Sequence, residues 1–283
     1  MNIELEPGNK LPDVEKRVEN QDTSLFAAIH SETSQDDRSS LLAIQASVAC
    51  RRNPYRYLEI GSHLGGSIQP HLLDPRCAGI VSIDKRPEFQ PDERDSLYAH
   101  EYRGNSTARM MANLKLLSPD QAGKVTTIDG DTGEIDLSAL PFHPDLCFID
   151  GEHADNSVLR DFEFCVRAIE EPALIVFHDA EIVFRGLKRA IEVLKASGRR
   201  WHAYHLPTSI FVVELGGEWC IHKDEPILRL LIDNHVGYLA NLESMVCFRD
   251  FYNRSEIVMV RKLASRFQPQ IRFVKRALRR FRG

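Results

Sequence analysis

The chain has 283 residues, 43% hydrophobic and 27% charged, the profile of a soluble globular protein able to bury a core. It holds no run of about 18 apolar residues, and its acidic start, residues 1–6, has no apolar leader segment, so neither a bilayer span nor a secretory signal is expected. The net charge of −5 hides an asymmetry: residues 249–283 carry 11 Lys/Arg against 2 Asp/Glu, leaving −14 on the rest, which argues against general nucleic-acid binding.

The six cysteines are scattered, with no C-x-x-C pair, so neither a zinc site nor a disulfide framework is expected. Reduced thiols and the missing leader point to the cytoplasm. Residues up to about 24 are polar and read as a loose lead-in. Residues 25–52 carry two helical stretches, the second over 39–50 with apolar positions at helical spacing. Asn53-Pro54 ends it. A strand–helix alternation follows. Strands are expected at 55–60, 79–84, 124–128, 145–150, 173–179 and 209–215, with helices at 107–117, 156–169 and 184–197. From about residue 218 onward the pattern is helical and finishes in a basic amphipathic stretch, 270–282. Nearly continuous apolar strands separated by helices belong in a parallel sheet covered on both faces. The fold expected is an α/β, Rossmann-like three-layer sandwich with a mostly parallel sheet of about seven strands, N-terminal helices and a helical basic extension. The division expected is 1–52 as N-terminal cap, 53–217 as the ligand-binding domain and 218–283 as the extension.

In such sheets ligands bind at the carboxyl ends of the strands. The first strand runs into Leu58-Glu59-Ile60-Gly61-Ser62-His63-Leu64-Gly65-Gly66-Ser67. Its glycines allow a sharp turn and close approach of a ligand. The spacing is E-x-G-x-x-x-G, not the G-x-G-x-x-G of dinucleotide loops. Glu59 would repel a pyrophosphate but suits a cation such as the ammonium of a methionine moiety. Asp84 ends the second strand 23 residues after Gly61, where an acid accepts both ribose hydroxyls. Asp131, in Asp129-Gly130-Asp131-Thr132, is placed to accept from an adenine amino group; an ordinary Asp/Gly turn is the plainer reading. Asp150 and Asp179 each end an apolar strand. Two carboxylates at adjacent strand ends repel unless a cation sits between them, and such oxygen ligands suit Mg²⁺ or another divalent ion. His178 is a candidate third ligand, or a packed strand-end residue. His153 has the ordinary pKa of a general base toward a hydroxyl, or caps locally.

From about residue 55 to 215 the chain resembles class I S-adenosylmethionine (SAM)-dependent methyltransferases. The Leu58-Glu59-Ile60-Gly61 and Ile83-Asp84 segments carry that resemblance. Adding Asp150-Gly151-Glu152-His153 and Phe177-His178-Asp179 makes it similar to the group with a D-G-x-H turn and a strand ending in H-D, which includes sugar and antibiotic O-methyltransferases and cephalosporin-hydroxylase-like proteins. The resemblance implies SAM as cofactor, held by Glu59, Gly61, Ser62, Gly65, Asp84, Asp131 and Asp150. It implies a divalent cation at Asp150, His178 and Asp179, and catalysis by His153 with Asp150. The acceptor it implies is a hydroxyl of a sugar, glycoconjugate or small molecule. Three departures stand out. Segment 85–107, between the second strand and the next helix, is longer than usual and either covers the substrate or is a plain surface loop. Glu170-Glu171-Pro172-Ala173 replaces the usual Gly-Gly before the fifth strand, and Ala180 follows Asp179 where some metal-dependent members place another oxygen ligand. The basic tail suits contact with an anionic membrane surface at the inner face, docking of a partner or second copy, or plain solubility. Two other functions stay open: a nucleotide-dependent oxidoreductase, against which the missing G-x-G-x-x-G counts, and a non-catalytic binding or scaffold module, against which acids at four strand ends count.

Overall fold

The structure, a computed structural model, describes residues 12–92, 99–252 and 259. The basic stretch 270–282 lies outside the described residues. Helix α1 (Pro12–Glu19) occupies part of the expected lead-in, and its Val14 and Val18 pack with Leu25, Phe26 and Leu42. Two apolar positions in a short polar segment are too few to announce a helix from sequence. Helix α2 (Gln35–Arg51) opens with a capping box: the Ser34 side chain accepts from the Asp37 N–H, and the Asp37 carboxylate accepts from the Ser34 N–H.

Strand β1 (Tyr55–Ile60) is followed by α3 (Gln69–Leu73) and β2 (Cys77–Asp84). A hairpin then intervenes, β3 (Phe89–Pro91) paired antiparallel with β4 (Ala99–Glu101). Next come α4 (Thr107–Leu117), β5 (Val125–Asp129), β6 (Leu146–Ile149), α5 (Asp155–Ala168), β7 (Ala173–Phe177) and α6 (Phe184–Ser197). The chain continues through β8 (Trp201–His205), β9 (Phe211–Leu215), α7 (Glu225–Leu230), the two-residue β10 (Asp233–Asn234) and α8 (His235–Tyr252). The described part beyond residue 218 is therefore not wholly helical. No described helix is long and apolar enough to cross a membrane.

The sheet order is β10-β8-β9-β7-β6-β1-β2-β5. Strands β5, β2, β1, β6 and β7 run parallel, while β9 is antiparallel to both β7 and β8. Seven strands form the body, and β10 adds a short eighth at the edge. Strand β8, absent from the sequence reading, alternates exposed His202 with buried Ala203, so it offers no continuous apolar run.

Alternation along the strands splits the core in two. Leu58, Ile60, Cys147, Ile149, Ile175 and Phe177 face α5, α6 and α8. Tyr55, Tyr57, Leu146, Phe148, Leu174 and Val176 face α2, α3, α4 and α7. The chain passes from β1 to β2 and β5 on one side, then returns to β6 on the other. That reversal opens a crevice at the carboxyl ends of β1 and β6. The ladder runs one residue past the strands there: Gly61 N–H donates to Ile83 C=O, Asp150 N–H to Ile60 C=O, and His178 N–H to Ile149 C=O.

Helices α5 and α6 meet with no room to spare. Asp155 accepts from the Gly186 N–H at 2.9 Å, and a Cβ on Gly186 would stand 2.4 Å from the Asp155 carbonyl oxygen. Gly186→Ala is expected to cost about 1–3 kcal/mol by forcing the helices apart, read as a lower urea midpoint at unchanged slope.

Candidate active site

The bend after β1 sets the floor of the crevice. Gly61 adopts φ +91°, and a Cβ there would lie 2.0 Å from the Asp150 carbonyl oxygen, so only glycine fits between β1 and β6. The turn continues with Gly65 N–H donating to Ser62 C=O at 2.7 Å. The segment before α2 lies across this loop, because the buried Gln69 side chain ties it down. Its amide donates to the carbonyls of Phe26, Ile29 and Gly66 and accepts from the Ile29 N–H.

A cleft of about 200 Å³ opens above the bend. Of the residues singled out in the sequence, Gly61, Ser62, Asp84, Asp150, His153, His178 and Asp179 all line it. Asp84 is almost fully buried and accepts from the His63 N–H at 2.9 Å, the Arg86 N–H at 2.6 Å and the Arg86 guanidinium at 3.1 Å. A smaller recess shares Gly61, Asp84 and Gln90 with the cleft and extends to Gly130, Thr132, Arg160 and Asp161.

Three expected residues sit elsewhere. Glu59 points into the α2/α3/α4 side of the sheet, fully buried, where it accepts from Tyr57 Oη at 2.6 Å and Ser67 Oγ at 2.7 Å. It therefore lies beneath the cleft, behind Ser67, and not on its wall. Burial pushes its carboxyl up to about 8, against the pull of those two hydroxyls. Gly65 faces Leu114 and Met110 of α4. The Asp131 carboxylate is taken by Lys85 Nζ at 2.5 Å and Arg160 Nε at 2.7 Å. Burial alone would raise its pKa, but Lys85 and the Gly133 N–H outweigh that and lower it.

At the ends of β6 and β7 acids and imidazoles alternate. His178 Nδ1 lies 2.9 Å from Asp150 Oδ1 and 3.0 Å from Asp179 Oδ2. His153 Nε2 lies 2.9 Å from Asp179 Oδ2, and its Nδ1 lies 3.2 Å from Asp92 Oδ2. Burial disfavours a charged His153 ring, but the bonds to Asp179 and Asp92 prevail and push its pKa up to about 10. Asp179 goes the other way: burial would raise it, yet the bonds from His153 and His178 hold it far below the usual carboxylate range. Burial raises the Asp150 carboxyl, partly offset by His178. The two carboxylates thus favour the charged form of the His153 ring, the form that does not accept a proton.

The donor atoms of Asp150, His153 and Asp179 lie within 4.8 Å of one another, a set of two oxygens and one nitrogen that fits a divalent cation. The imidazole in this cluster is His153, not the expected His178, whose Nδ1 is engaged by both carboxylates. Asp92 behind His153 fixes the ring, as carboxylates behind ligating histidines do.

Asp92 and Asp37 escape a sequence reading, as do His30, Glu32, Gln90, Tyr102 and Asn105 on the outer wall. They come from the segment before α2, from α2 itself and from the β3–β4 region; the N-terminal helices and segment 85–107 are expected around an acceptor, but the individual side chains are not readable. The Ser34-x-x-Asp37 spacing is readable, but as a helix start.

Residues 58–180 match the family model described as a methyltransferase domain. This stretch is a methyltransferase domain. The chain is 27% identical over 123 residues to an uncharacterized protein of Acanthamoeba polyphaga mimivirus, a match covering 44% of this chain and 50% of that one. The chain thus spans half the length of the curated relative it matches. Among solved structures, it is similar to the O-methyltransferase TomG from Streptomyces achromogenes, involved in tomaymycin synthesis and in complex with SAM. That match has 18% identity and a TM-score of 0.47, covering 76% of this chain and 92% of that one. The O-methyltransferase from Bacillus cereus in complex with SAH gives 13% identity and a TM-score of 0.45, over 75% and 93%.

Glu59 yields a pH signature for the methyltransferase domain. Its folded pKa of about 8 lies above the ordinary 4.5, so the native state holds a proton that the unfolded chain releases between those values. Stability from this group is full below 4.5 and lost as pH rises toward 8. Glu59→Gln removes that loss: the fall in melting temperature between about pH 5 and pH 9 should be smaller in the variant than in the parent.

Proposed function

We propose that the methyltransferase domain binds SAM in the cleft above Gly61 and transfers its methyl group to a hydroxyl of a small polar acceptor. One observation supports this most. The glycine bend and Asp84, suited to a nucleoside, open into the same cleft as Asp150, His153 and Asp179, suited to an acceptor hydroxyl. SAM's sulfonium already activates the methyl group, so the protein's task is alignment and exclusion of water. Gly61 and Ser62 let the methionine end approach the backbone. Asp84, held by three bonds from His63 and Arg86, keeps one lone pair, on Oδ1, for the ribose. The adenine end extends toward Gly130 and Thr132, with Asp131 held in its ion pairs behind them.

On the acceptor side, His30, Glu32, Gln90 and Asn105 make a polar wall that suits a sugar or glycoconjugate hydroxyl. Asp150, whose carboxyl burial raises, is the group best matched to receive the hydroxyl proton while His153 is protonated. A divalent cation held by Asp150, His153 and Asp179 is an alternative state of the site: it would displace the His153 proton and would itself lower the pKa of that hydroxyl. The basic run 249–283 suits contact with an anionic surface, a reading that rests on its sequence alone.

Isothermal calorimetry with SAM tests the proposal: one-site binding is expected, with no heat from NAD(H). Asp84→Asn should weaken SAM at least about tenfold, the loss of roughly one charge-assisted hydrogen bond. Unchanged affinity in that variant would remove the nucleoside assignment.

A further inference from the structure

The methyltransferase match begins at residue 58, yet a buried acid from α2 stands behind His178, which lines the cleft. Asp37 is 3% exposed, far less than a helix-capping acid needs. Its Oδ2 accepts from the Ser34 N–H at 2.8 Å. Its Oδ1 accepts from the Thr208 hydroxyl, from Ser209 Oγ at 3.1 Å and from the Ser209 N–H at 3.4 Å. Thr208 takes φ +58°, an uncommon conformation for threonine, to present that hydroxyl. So held, Asp37 Oδ2 lies 3.5 Å from His178 Nε2.

His178 is itself buried, and its Nε2 makes no hydrogen bond among the described residues, so the Asp37 carboxylate at ion-pair distance is what faces it. Its Nδ1 spans Asp150 and Asp179. Glu181 is the further carboxylate acting on it, and the Phe148 ring packs edge-on at 6.0 Å. A ring that must serve two carboxylates through one nitrogen needs an anchor on the other, or a half-turn about its bond to Cβ breaks both contacts.

We infer that Asp37 is a positioning residue: its carboxylate fixes the His178 ring, and the ring holds Asp150 and Asp179 at their working separation. The inference rests on the functional reading above for what that separation serves, but not for its geometry. It also makes α2, outside the matched domain, part of the catalytic apparatus.

The test uses the full chain with ¹⁵N-labelled histidine, His178 being assigned through His178→Gln. Asp37→Asn keeps an acceptor for the helix cap but removes the charge. It should shift the His178 ring nitrogens and weaken Mn²⁺, used alone as probe in calorimetry, by up to about tenfold, the lower end of the range for groups bonded directly to metal ligands, because Asp37 acts through His178. SAM affinity should stay within about twofold, because no proposed SAM contact changes. Ser34→Ala removes a capping bond and leaves the carboxylate, so it should lower melting temperature and spare both His178 and Mn²⁺ affinity. Should Asp37→Asn not fold, Ser209→Ala, which loosens Asp37, should move the same signals less. His178 resonances unchanged in either variant, or moved as far by Ser34→Ala, overturn the inference. A parent chain that gives no heat with SAM fails the methyltransferase reading only, and the nitrogen shifts still decide the role of Asp37.

Discussion

The centre of this molecule depends on one register. Pairing Ile149 with Phe177 in parallel strands sets Asp150 and His178 side by side at the sheet's edge, with Asp179 one residue further. Two carboxylates brought that close would repel strongly in a buried setting. The imidazole between them removes that cost, and its own charge is balanced from behind by Asp37. A slip of one residue in β7 would turn His178 into the sheet and dissolve the arrangement.

The same logic runs outward. His153 is to Asp179 and Asp92 what His178 is to Asp150 and Asp37. Acid and base alternate along a line from the β3–β4 hairpin to the first long helix. Each member is paired, so the charges are tolerable away from water, and each pair also sets a direction for the next. The pKa displacements follow from this order: the carboxylate flanked by two rings falls, and the ring flanked by two carboxylates rises.

Much of this was legible in the residues. Strand β1 and helices α4 and α6 have the bounds their patterns predict, and β2 only starts two residues earlier. Asp84, Asp150, His178 and Asp179 were readable because a strand's end fixes where its next side chain points. Glu59 was harder. It lies inside β1, where alternation sends it to the same face as Tyr57, under the cleft. Asp131 stands at a readable turn, but nothing local reveals that Lys85 and Arg160 converge on it. Asp37 and Asp92 carry no signal of their own role, since their partners lie 141 and 61 positions away along the chain. The hairpin and β8 were missed because short strands broken by proline or polar residues leave no periodic trace.

Gln69 gives the cleft a fixed shoulder. One buried amide grips two carbonyls and an N–H of the chain lying over Gly66, and the Gly66 carbonyl as well; a methyl group on Gly66 would collide with the His30 carbonyl at 2.4 Å. Lifting that chain would break three buried hydrogen bonds at once. The shoulder is therefore set during folding, before any ligand arrives, and a molecule entering the cleft meets it as preformed relief instead of having to order it.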